Sequence, residues 1–278
     1  MAVFHRPRTL EEACELMATL DTPAVHGGGT ALQLRATQGA PQPGHLVDLA
    51  AIEGLDAVAE TAGGLRLGPL VTLRRMERDP VVTSAVPLAA RAYAAVAHPR
   101  IRNVATVAGN LAFADPRLDP LGALQVLDAH VEATSRTGSR RLAVRELFTG
   151  PERTALAPDE IVTAVDVPRQ PSGAHAFVKY TSLSESDWPC VSVAALAVRA
   201  GGSTELRLGL GAVADTPRYV AVQLPTGTGD DDAVDAARRL AEPVLDPVAD
   251  VRGGVAYKRH LALLAVEEAV RAIWKETR

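Results

Sequence analysis

Residues 101–124 read IRNVATVAGNLAFADPRLDPLGAL, and the residue types in this stretch set how the rest of the chain is read. Its apolar start ends in a bend made of Thr106, Val107, Ala108, Gly109 and Asn110, which places a hydroxyl, a glycine and an amide in one tight turn. Thr106 and Asn110 carry groups able to donate to a phosphate or a ring oxygen, although the same residues also suit an ordinary polar turn. Asp119 precedes Pro120, the usual arrangement of an N-cap with proline at the first helical position. The following DPLGALQVLDA reads as a short buried helix.

Upstream, RPRTLEEACELMATL carries a capping-box spacing, Thr9 with Glu12, and one apolar face formed by Leu10, Ala13, Leu16, Met17 and Leu20. A short apolar run then leads to VHGGGT, that is Val25, His26, Gly27, Gly28, Gly29 and Thr30, and on to the strand-like HLVDLA. Successive glycines take positive φ freely and carry no Cβ, so their N–H groups can converge on an anion and admit a pyrophosphate. A plain strand-to-helix turn uses the same residues. Neither the dinucleotide-fold spacing G-x-G-x-x-G nor a Gly-Lys-Ser/Thr phosphate loop is present.

LDAVAETAGGLRLGPLVTL alternates about Gly63-Gly64 and predicts a hairpin, followed by the helix TLRRMERDP. SAVPLAARAYAAVA predicts one further helix that stops near His98-Pro99. After the buried helix, HVEATSR and RRLAV read as strands. A break at PRQPSGA separates these from HAFVKYTSL, SVAALAVRA and ELRLGLGAV, three strands of an antiparallel sheet, and from two C-terminal helices. Lys179 sits on the first of these strands, where a lysine ordinarily faces solvent. Trp188, in ESDWPC, suits either a core aromatic or a lid on a flat ring.

The 278 residues are 47% hydrophobic, enough for a real core, and 29 basic against 33 acidic residues give a net charge of −4, which offers no field for gripping nucleic acid. The two cysteines, Cys14 and Cys190, stand far apart, whereas an iron–sulfur cluster takes about four thiolates. No stretch has the apolar length of a signal peptide core or a membrane span, so a cytoplasmic location is expected.

Taken together in order and spacing, VHGGGTAL, residues 101–124 and DVRGGVAYKRHLALL resemble the FAD-binding medium subunits of the carbon monoxide dehydrogenase and xanthine dehydrogenase family of molybdenum hydroxylases. The resemblance covers nearly the whole chain. It implies an α+β protein: a two-lobed PCMH-type, vanillyl-alcohol-oxidase-like FAD-binding domain over residues 1–170, with lobes of about 1–53 and 54–170, and a C-terminal domain over 173–278 with a three-stranded antiparallel sheet and a helical bundle. By the same likeness the two glycine loops cradle the FAD diphosphate, Asp119 hydrogen-bonds the cofactor, Lys179 lies near the isoalloxazine carbonyls, Val96 and Val165 pack on the cofactor, and Trp188 sits beside the flavin ring. No catalytic or metal-ligating residue is implied on this chain.

The implied partners are a large subunit holding molybdopterin and a small subunit holding 2Fe–2S clusters, with electrons leaving this chain for NAD or another acceptor. A stand-alone flavin-dependent oxidoreductase and an FAD-free scaffold are the alternatives. Two departures from the family pattern bear on the site: His26 replaces a small residue before the first glycine pair, and Ala108 replaces the first glycine of the second loop, where its methyl is expected to crowd the phosphate. Related oxidases with a histidyl flavin link place that histidine where this chain has Gly29, so the cofactor is expected to be non-covalent.

Overall fold

Thr9 caps the helix Leu10–Thr19 as its spacing predicts: its Oγ1 accepts from the Glu12 N–H at 3.1 Å, while the Glu12 carboxylate reaches back to the Arg8 N–H at 2.7 Å. Ala13, Cys14 and Met17 on this helix bury against Val47 and Leu49. Beside it lies a parallel sheet in the order Val3–His5, His45–Asp48, Pro23–His26. Its three-residue first strand is too short to show alternation in the sequence. The computed structural model describes residues 2–275, and among these no helix is long and apolar enough to cross a membrane.

A second, antiparallel sheet runs in the order Val58–Thr61, Gly64–Leu67, Ile161–Pro168, His130–Ser135, Gly138–Ala143, so the predicted hairpin about Gly63-Gly64 and a second hairpin, formed by the strands read from HVEATSR and RRLAV, flank one long central strand. The single helix expected from SAVPLAARAYAAVA is instead two, Pro80–Ala85 and Pro87–Ala94, broken at Val86. Pro87 causes the break, because its ring disfavours the α conformation in the residue before it; Val86 adopts φ −141°, ψ 60°.

The C-terminal sheet has four antiparallel strands rather than the expected three: His175–Tyr180, Val191–Ala200, Ser203–Gly211 and Arg218–Pro225. The fourth starts just after Pro217 and ends on Pro225. Proline is tolerated there because the strand is at the sheet edge, with no ladder to complete on its outer side. The helices Asp230–Ala241 and Val255–Trp274 bury Val234, Ala237, Val266 and Val270 with the sheet residues Leu206, Leu208 and Val220. Against the sheet also lies the helix Pro120–Val126, every residue of which is buried. Gly122 makes this approach possible: a Cβ there would stand 2.9 Å from the backbone carbon of Gly209. That contact brings the N-terminus of the helix, with Asp119, to the strand that carries Lys179.

Candidate functional site

A cavity of about 410 Å³ opens where the two glycine loops meet. Val25, Gly27, Gly28, Gly29 and Thr30 line one wall. Gly29 takes φ +69° and caps the helix Thr30–Thr37, a turn that favours glycine. Gly28 answers to a different demand: a Cβ on it would overlap the Val104 carbonyl, 2.6 Å from its carbon, and stand 2.9 Å from Ala105 Cα. This glycine therefore admits the protein's own second loop. Among the described residues, the N–H groups of Gly27, Gly28 and Gly29 donate to no protein acceptor, which leaves three backbone donors beside the cavity for an anion to use.

His26 is not on the cavity wall. Its ring meets Phe4 edge-on with centroids 5.6 Å apart, and its Nδ1 lies 3.3 Å from Asp48 Oδ1. A side chain at Gly29 would meet His26 Nε2 at 2.8 Å, so the imidazole braces the turn from behind.

The bend expected over Thr106–Asn110 is instead the first turn of the helix Val107–Phe113, N-capped by Thr106, and it presents side chains, not free backbone donors, to the cavity. The Val107 N–H donates to Val71 O at 2.9 Å, Ala108 N–H to Pro69 O at 3.4 Å, Gly109 N–H to Thr106 Oγ1 at 3.2 Å and Asn110 N–H to Thr106 O at 2.9 Å. Thr106, Gly109 and Asn110 line the cavity, whereas Val107 and Ala108 are buried behind it. The Ala108 methyl thus does not crowd the cavity, contrary to expectation. Asn110 Oδ1 is buried without a hydrogen-bond partner.

Asp119 does not act as a helix cap. Its own φ and ψ are helical and its side chain makes no capping bond; instead Oδ2 accepts from Lys179 Nζ at 2.8 Å. Both side chains are at least nine-tenths buried, so Lys179 does not face solvent as a strand lysine ordinarily would. Asp119 Oδ1 has no partner, and the residue lines the cavity. Burial pushes its carboxyl up to about 7, with the Lys179 ammonium drawing it the other way.

Val96 and Trp188 line the cavity, but Val165 does not: it is wholly buried in the central strand, opposite Leu67 and Val131, and fills the core. The register of this sheet turns it into the core and not onto the cavity wall. Trp188 meets Phe113 edge-on, centroids 6.5 Å apart, and the Arg117 guanidinium stands 4.7 Å from its ring centre. Arg117 is held by Asp115 at 2.6 and 2.9 Å. Neighbouring Asp187 accepts two bonds from Arg252, at 2.7 and 3.0 Å, which hold its carboxyl below the usual range. Sequence reading passed over Phe113, Arg117 and Asp187. Their partners are brought together by the fold, and only the short Asp115/Arg117 spacing was visible in the string.

The fit to FAD is chemical. The Gly27–29 N–H groups call for an anion, while the orphan oxygens of Asn110 and Asp119 call for donors. FAD offers both, through its diphosphate and through its hydroxyl, ring N–H and amine groups. No group of three or more His, Cys, Asp or Glu that could hold a metal ion occurs among the described residues.

Comparison with known proteins gives the same reading. Residues 1–170 match the family described as the FAD binding domain in molybdopterin dehydrogenase, and residues 176–273 match the CO dehydrogenase flavoprotein C-terminal domain. The chain is 30% identical to the carbon monoxide dehydrogenase medium chain of Afipia carboxidovorans, covering 96% of this chain and 94% of that one. It is 31% identical to a putative xanthine dehydrogenase FAD-binding subunit of Escherichia coli, over 78% of this chain and 75% of that one. Among solved structures, carbon monoxide dehydrogenase from Hydrogenophaga pseudoflava lacking the Mo-pyranopterin moiety of its molybdenum cofactor superposes with a TM-score of 0.92 at 26% identity, covering 100% of this chain and 98% of that one. The chain therefore belongs to the FAD-binding subunits of the molybdopterin dehydrogenases, a family of oxidoreductases.

Proposed function

We propose that this chain is the electron-transfer subunit of a molybdenum hydroxylase complex, taking electrons from 2Fe–2S clusters on a small partner subunit and delivering them to NAD or another acceptor. The substrate is oxidised at molybdopterin on a large subunit. The chain works in the cytoplasm. Residues 1–170 form a two-lobed PCMH-type domain with lobes of about 1–53 and 54–170, and 173–278 form the second domain. The observation that carries the reading is one cavity that combines the donor-rich Gly27–29 loop with the buried, partnerless oxygens of Asn110 and Asp119.

When bound, FAD supplies reversible redox chemistry at its isoalloxazine, and the protein's part is to position and tune it. The Gly27–29 N–H groups and the Thr106 hydroxyl receive the diphosphate. Asn110 and Asp119 accept from the cofactor, and Lys179 offsets the charge on Asp119. Trp188, stiffened by Arg117 and Phe113, keeps water from one side of the cavity. The cofactor is held non-covalently: His26, the one candidate for a histidyl link, is turned onto Phe4 and Asp48 and away from the cavity. Acid precipitation of the purified yellow protein is the test. One FAD per chain should appear in the supernatant; flavin left on the precipitate would refute non-covalent binding, and a colourless protein that takes up no added FAD would refute the reading.

A further inference from the structure

Three consecutive carbonyl oxygens beside the cavity are each occupied by a cationic side chain. Ala95 O accepts from Lys179 Nζ at 2.8 Å, and Val96 O and Ala97 O both accept from Arg102 Nη1 at 2.7 Å. Arg102 is itself buried, and its Nε donates to Glu77 Oε2 at 2.9 Å; Glu77 also receives two bonds from Arg74, each 2.8 Å. Val96 and Ala97 line the cavity. Ala97 holds φ +45°, in the left-handed region that a residue with a Cβ avoids unless its surroundings impose it. No glycine relieves the turn, so something else must hold it.

We propose that Arg102 is a positioning residue for the FAD site, a buried fork that holds residues 96 and 97 in their strained turn and directs their carbonyl oxygens away from an anionic cofactor. The inference rests on the FAD reading above and extends it to a residue that does not touch the cavity. Arginine suits the task because its planar guanidinium can bond two carbonyls and a carboxylate at once, whereas a lysine ammonium in the same place cannot span them. With the fork removed, the Ala97 strain would drive the turn toward an ordinary backbone conformation. The wall at Val96 would shift, and free carbonyl lone pairs would become able to face the diphosphate or the ring. Lys179, bonded to both Ala95 O and Asp119, ties this wall to the carboxylate on the opposite side of the same network.

The test uses the full chain and two readouts. Arg102→Lys should weaken FAD binding about tenfold in a fluorescence titration, equivalent to about 1.4 kcal/mol. In the FAD-free chain, amide exchange at residues 95–98 should quicken while exchange in the C-terminal sheet stays unchanged. Adding Ala97→Gly to Arg102→Lys should restore most of the lost affinity, since glycine holds a positive φ without the fork; a purely structural role for Arg102 gives no such rescue. Parental affinity in Arg102→Lys, or unaltered exchange at 95–98, overturns the proposal. The exchange measurement needs no cofactor, so failure of the parent chain to bind FAD would refute the cofactor reading separately.

Discussion

Gly28→Ala is the smallest change that separates a loop shaped for a ligand from a loop shaped for its neighbour. An alanine Cβ would overlap the Val104 carbonyl oxygen and stand 2.6 Å from its carbon, where ordinary contact begins at 3.4 Å, so the two backbones must part by more than the 0.8 Å (3.4 minus 2.6) that the carbon alone demands. The obstacle is backbone on both sides and cannot swing away like a side chain. Overpacking of this kind costs about 1–3 kcal/mol, and it acts on the FAD-free chain. The same shift moves the Gly27–29 N–H groups off the position of the diphosphate; losing the better part of one charge-assisted hydrogen bond, about 2 kcal/mol, corresponds to a loss in affinity of roughly thirtyfold. Urea unfolding of the FAD-free protein and FAD titration together should show a lowered midpoint and a raised dissociation constant. If Gly28→Ala weakens FAD binding with an unaltered urea midpoint, the glycine is serving the ligand alone, and the reasoning from Val104 is wrong.

Ala108→Gly should leave FAD affinity within about twofold and lower stability by about 0.5–1 kcal/mol, because the Ala108 methyl is buried behind the loop and not turned to the cavity; tenfold tighter FAD binding would contradict this. Asp119 gives the FAD-free chain a pH signature: with its carboxyl raised from 3.8 to about 7, the folded state binds more protons than the unfolded state between those values, so stability falls as pH rises through that window. Asp119→Asn should remove this slope, and an identical slope of urea midpoint against pH in both proteins would count against the buried carboxyl. Lys179→Ala should weaken FAD binding less than Gly28→Ala does, since it deletes one side chain rather than displacing a loop; a larger loss in measured affinity would reverse that ranking. The purified chain, shown free of molybdenum and iron, should not turn over an aldehyde or purine; rates of roughly 1 per second or more would favour a stand-alone flavoenzyme.

Local pattern made much of this protein legible. The Thr9 cap, the hairpin about Gly63-Gly64, the buried helix after Asp119 and the first glycine bend each follow from spacing over a few residues, and the observed elements agree with them; the second bend is instead the first turn of the helix Val107–Phe113, capped by Thr106. The fold class and the identity of the cofactor also came through, because three motifs in order carry more information than any one loop. The fourth C-terminal strand is not legible from its residues, since the prolines that bound it mark an edge as readily as a loop.

What the tertiary structure alone decided is which groups meet. Asp119 looks like a cap until Gly122 lets its helix touch Gly209, which brings a lysine 60 residues away into contact with its carboxylate. Val165 falls in the core and not on the cavity wall because strand pairing, and no property of valine, sets which way it faces. His26, Ala108 and Arg102 likewise take their parts from chain segments distant in sequence. Residue type and spacing encode local conformation and periodic burial, whereas the direction of an N–H group or the partner of a buried charge depends on long-range approach of backbones that no local string records.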